Sequence, residues 1–172
     1  MPKYRQDDGE LCESVGLLIS ILVRYPEIGT VKFNPGSQTL RLSFLLSRLI
    51  DESEYEVFAE KIRTSLETYN VLEGHDQVII ETALRSFDNI SVIEVDRDVH
   101  TLSKTEIGLI ITLMKEFYAG GMIVDRNDNL LEEDLLVQEE LIDNMLDQLK
   151  VARYEKNLIG IREDGRVMVF NK

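Results

Sequence analysis

Residues 30–44, TVKFNPGSQTLRLSF, hold two short runs in which apolar and polar side chains alternate. Val31 and Phe33 fall on one side of the first run, and Leu40, Leu42 and Phe44 on one side of the second. Between them NPGSQ supplies a proline–glycine turn, so the stretch predicts a β-hairpin with one apolar face. A sheet face of this kind is stable only when a second layer covers it. Whatever else the chain does, it must supply that layer.

Helical spacing supplies it. Leu11, Val15, Leu18 and Leu22 predict a helix over 10–24, ended by Pro26. Ser53 and Glu56 have the spacing of a capping box, opening a helix with Tyr55, Phe58, Ile62, Leu66 and Tyr69 on one side and Gly74 as its stop. Residues 76–87 fit a short helix or a strand, and ISVIEV (90–95) reads as a strand. Ser103 and Glu106 repeat the capping-box spacing before a helix so apolar, from Ile107 to Phe117, that it belongs in the centre of a core. Leu135, Leu141, Ile142, Met145 and Leu149 mark another helix. NLIGI (157–161) and RVMVF (166–170) flank Asp164-Gly165, a strong hairpin signal.

The fold class is therefore α+β. An N-terminal α-β-β-α-β unit is followed by a helical unit closed by a C-terminal β-hairpin, an element order that a winged helix also has. The expected division is 1–98 and 99–172, or one fused domain.

At 172 residues the chain is long enough to bury a large core unaided. The single cysteine, Cys12, cannot form an internal disulfide and is expected to pack beside the first helix rather than react. The longest dense apolar run, VGLLISILV (15–23), is about half a bilayer span, and the polar start MPKYRQDDGELCE lacks a signal-peptide core. A cytoplasmic protein without membrane contact is expected.

The formal charge of −13 is uneven: residues 51–100 carry four basic and thirteen acidic groups, and 101–150 four and eleven. The ends are nearly neutral, with six basic and five acidic groups in 1–50 and five and three in 151–172. A middle this acidic repels phosphate and anionic surfaces.

Residues 124–134, VDRNDNLLEED, resemble a calcium loop in their alternating Asp and Asn. Counted from Asp125, Asn127 and Asn129 fit, but Leu130 stands where a glycine is needed and Leu136 where a bidentate glutamate is needed. No metal is expected there. Asp96, Asp98 and His100 are the best catalytic or metal-binding group, yet all three come from one short segment, so the metal-assisted hydrolase they suggest ranks low. Nucleophile-elbow, phosphate-loop and dinucleotide motifs are missing, and no cofactor is expected.

The terminal hairpin offers Arg153, Lys156, Arg162 and Arg166 to nucleic acid, as a DNA-binding regulator would. The helix before it, however, presents Glu139, Glu140, Asp143 and Asp147. The reading that results is a non-enzymatic interaction or regulatory module, with a protein partner, nucleic acid disfavoured and homo-oligomerisation compatible. Its contact surface is expected at Glu52, Glu56, Glu60, Glu132, Glu133, Glu139, Glu140 and Asp143.

Overall fold

The computed structural model describes residues 3–125, 132–151, 156–163 and 165–171, and the side chains of the first helix from Ser14 onward. The calcium-like positions Asn127, Asn129 and Leu130, the cation Arg153, the turn residue Asp164 and the side chain of Cys12 lie outside that description.

Ten elements follow in order: α1 (Lys3–Arg24), β1 (Thr30–Asn34), β2 (Thr39–Leu46), α2 (Glu52–Leu72), β3 (Ile80–Phe87), β4 (Ile90–Asp98), α3 (Lys104–Tyr118), α4 (Glu132–Val151), β5 (Leu158–Glu163) and β6 (Arg166–Asn171). The protein is α+β, as its alternation and helical spacing imply. All six strands form one antiparallel sheet in the order β3-β4-β2-β1-β5-β6.

The expected hairpin forms with Val31 opposite Leu42 and Phe33 opposite Leu40. The ambiguous stretch 76–87 resolves as strand β3. Its Ile80, Thr82 and Leu84 alternate with Glu81, Ala83 and Arg85, and Asp88, at φ 50°, turns the chain back into β4. A left-handed Asp at the corner of a two-residue turn is what a tight hairpin uses. The terminal hairpin, read as winglike in element order, extends the sheet instead: β5 pairs with β1, Thr30 opposite Ile161.

Three local expectations are corrected. The cap of α2 is Asp51, whose side chain accepts from the Glu54 N–H at 2.8 Å, rather than Ser53. Ser103 does cap α3, accepting from the Glu106 N–H, but the Glu106 side chain turns into the core instead of back to the cap. The first helix also begins well before residue 10.

The helices lie on one side of the sheet. Leu17, Leu18, Ile21 and Leu22 of α1, Phe58, Ile62 and Leu66 of α2, and Ile107, Ile110 and Met114 of α3 share a core with Leu40, Leu42, Phe44, Ile93 and Val95. α4 joins this layer through α1 and α3, burying Ile142, Leu146 and Leu149. Gly160 faces α1 so closely that an added Cβ would stand 3.0 Å from Leu22 Cδ1 and 3.4 Å from Leu18 Cβ. The strand and helix can approach this far only because the side chain is absent.

Candidate site on the open sheet face

Among the described residues no helix packs on the opposite face of the sheet, and strand register places its side chains. One rank crosses all six strands in spatial order: Glu81, Asp96, Arg41, Lys32, Ile159 and Phe170. Read from the β3 edge it runs two acids, two bases and two apolar groups. Beside it Glu94 lies between Arg41 and Arg85, at 3.2 and 2.6 Å. Glu94 is nearly buried although it sits on the open face, because the two guanidinium groups cover it.

Arg41 holds Asp96 in a bidentate pair, Nε to Oδ1 at 2.8 Å and Nη2 to Oδ2 at 2.9 Å. That hydrogen bond, with Glu94 beside it, raises the Arg41 pKa further above its ordinary value. The two-pronged geometry suits a fixed guanidinium better than a mobile ammonium. A hollow of about 440 Å³ opens at this rank, lined by Lys32, Asn34, Thr39, Arg41, Glu81 and Asp96 with Ile79 and Leu158. Its size is that of a small binding site. Within it Arg41 and Asp96 are already paired, and Asn34 Oδ1 accepts from the Gly36 N–H at 2.9 Å.

Asp96, Asp98 and His100 do not converge. Asp96 is held by Arg41; Asp98 accepts from the Ile79 N–H at 2.8 Å and from Thr101; and His100 Nε2 meets Gln38 Oε1. Among the described residues no group of three or more His, Cys, Asp or Glu side chains could hold a metal ion. The alternation of β4 is interrupted where the chain turns after Asp98, and this sends the three groups to different neighbours.

A buried polar cluster was not anticipated. Arg97, fully buried, donates all five of its hydrogens: to both oxygens of Glu106, to the Ile79 carbonyl at 2.7 Å, to Asp98 and to Thr101 at 2.8 Å. Asn70 donates to Glu106 Oε1 and to the Leu66 carbonyl, both at 2.8 Å. Burial opposes the Arg97 charge, but Glu106 and Asp98 outweigh it and raise its pKa. For Asp98 burial pushes upward, while hydrogen bonds from Ile79 and Thr101 and the Arg97 charge bring it below its ordinary value. The cluster ties β4 to α2 and α3. It was legible in part, because Arg97 falls on the same side of ISVIEVDRD as Ile93 and Val95.

The acidic residues proposed for contact divide into two kinds. Glu52, Glu56 and Glu60 of α2, and Glu132, Glu133 and Glu140 of α4, are exposed. Glu139 instead binds Arg24, at 2.7 Å from its Nε, and Asp143 accepts from the Lys104 N–H at 3.2 Å. These last two fasten α4 to α1 and α3.

Of the basic residues, Lys156 and Arg166 are exposed. Arg162 is half-buried, and one of its Nη atoms donates to the carbonyls of Leu22, Tyr25 and Ile28, the last two at 3.3 and 3.1 Å. It meets the Leu22 carbonyl in the last turn of α1 and ties β5 to the turn that follows, at Tyr25 and Ile28. Burial draws its pKa down. Arg162→Ala is expected to cost about 2 kcal/mol, since hydrogen bonds from a charged donor contribute about that much. A urea titration followed by circular dichroism reads it, and an unchanged midpoint would place these carbonyls in contact with water.

No family model, no curated protein and no solved structure matches this chain.

Proposed function

We propose that this chain is a non-enzymatic intracellular interaction module of a regulatory kind, meeting a basic polypeptide through the outward side of α2. One observation carries the reading. Glu56, Val57, Glu60, Glu67 and Val71 share the outward stripe of that helix and are all exposed, Val57 at 63% and Val71 at 70%. Carboxylates and aliphatic groups interleaved in this way complement an amphipathic segment that carries lysine or arginine beside apolar anchors. The same carboxylates oppose phosphate. The DNA-binding alternative is weakened by the engagement of Arg162 with α1.

Single surface charges contribute little, so the test reverses three together. Fluorescence anisotropy with a lysine–leucine amphipathic helical peptide is the readout, and a random DNA duplex serves as competitor. The full chain should bind the peptide and leave the duplex free. Glu56→Lys, Glu60→Lys and Glu67→Lys combined should weaken the peptide at least tenfold, whereas Glu132→Lys, Glu133→Lys and Glu140→Lys combined should weaken it far less. Equal loss from both triple variants, or tighter binding of the duplex, would overturn the proposal.

A further inference from the structure

We infer that the open sheet face is a docking surface for a second copy of this chain, independent of the partner proposed for α2. The argument is the order of charge across the sheet. Glu81, Asp96, Arg41 and Lys32 stand side by side on β3, β4, β2 and β1, in the sequence minus, minus, plus, plus. That sequence is self-complementary. When two such faces meet about a two-fold axis parallel to the strands and between β4 and β2, each Glu81 faces the second copy's Lys32. Each Asp96 then faces the second copy's Arg41. An axis across the strands would instead set every charge against its own kind.

The Arg41–Asp96 pair, already formed within one chain, becomes half of a ring of four alternating charges. Stacked sheets stand about 10 Å apart, a gap that side chains of Lys, Arg and Glu reach across from both sides. The four lining charges sum to zero, whereas the chain as a whole carries −13. This face is therefore one through which copies can approach without strong mutual repulsion, more distant charges being screened beyond about 8 Å at physiological salt.

Apolar groups accompany the rank. Leu45 of β2 lies opposite Val92 of β4, both half-buried, and Phe87 and Ile90, paired at the β3–β4 turn, are 58% and 37% exposed. β3, β4 and β2 are eight or nine residues long and β1 is five, and with strands about 4.8 Å apart they give a footprint of at most roughly 20 by 27 Å, narrower at β1. This is smaller than the ~800 Å² per partner of a standard interface, so the dimer should be weak and reversible. The isologous geometry is the commonest one for homodimers.

Sedimentation equilibrium of the full chain at about 0.15 M salt, from about 1 to 200 μM, tests it. The wild type should pass from monomer to dimer. Lys32→Glu and Glu81→Lys should each weaken association at least tenfold, because each sets like charges in contact twice. The double variant Lys32→Glu with Glu81→Lys should recover dimerisation. An equimolar mixture of the two single variants should form a heterodimer, in which both contacts pair opposite charges, and a misfolded variant could not do this. A wild type monomeric throughout, singles that dimerise normally, or no recovery in both the double variant and the mixture would each overturn the inference.

Discussion

Replacing Arg97 by alanine should destabilise the protein by about 3–5 kcal/mol, the loss typical when one member of a buried ion pair is removed. The reason is the group left behind. Glu106 is fully buried and would keep only the Asn70 amide as a side-chain donor. Asp98 would keep Thr101 and the Ile79 N–H but lose its cation. The informative comparison is Arg97→Met combined with Glu106→Leu, which removes both charges while conserving much of the volume. That pair should cost less than Arg97→Ala, because no unpaired carboxylate is left at Glu106, while Asp98 loses its cation in both variants. Urea unfolding of the two variants beside the wild type decides the matter. If Arg97→Ala lost less than about 1 kcal/mol, water would have to reach the cluster.

Phe58→Ala should also be severe, at about 3–5 kcal/mol, the usual range for removing a buried phenyl ring. Phe58 is fully buried on α2 and makes an edge contact with Phe117, ring centres 5.3 Å apart at 75°. It also lies 5.2 Å from Tyr118. Both neighbours belong to α3, so the ring is an apolar counterpart to the Arg97 cluster in joining the same two helices. Phe58→Leu should recover more than half of the loss by refilling most of the space. Thermal melts of both variants check this, and equal destabilisation by Leu and Ala would show that ring geometry matters more than volume.

How much of this could be read in advance depended on whether the decisive partner was local. The β1–β2 hairpin was plain because alternation and its Pro-Gly turn lie within fifteen consecutive residues. The apolar run of α3 fixed a central helix for the same reason. Residues 76–87 fit helix and strand alike, because Ile79, Ile80, Ala83 and Leu84 satisfy helical spacing while the run Val78-Ile79-Ile80 suits a strand. Pairing with β4 settled the outcome, and propensity within the segment could not. Asp51 displaced Ser53 as a cap because both can accept a hydrogen bond, and the helix start chooses between them.

The site was less legible than the fold. Asp96 and Asp98 stood out as ionisable groups near a histidine, but the sequence does not say that Arg41, 55 residues away, claims the first. Glu106 resembled a capping residue because its spacing from Ser103 was right, and its true partner is nine residues away in the other direction. The rank of charge on the open face depends on strand order. β1 has β2 and β5 as neighbours, and nothing in either segment alone announces the second pairing.

That second pairing bears on how the polypeptide is made. Thr30 meets Ile161, and Arg162 reaches the Leu22 carbonyl across 140 positions of chain. At translation rates of about 5–20 residues per second, β1 waits roughly 7–26 s on the ribosome before its outer neighbour is synthesised. Throughout that interval one border of the nascent hairpin, and the last turn of α1, lack their final hydrogen-bonding partners. Closure of the sheet is therefore a late event, and slow non-local pairing of this kind lengthens the time in which a chaperone could hold the unfinished strand.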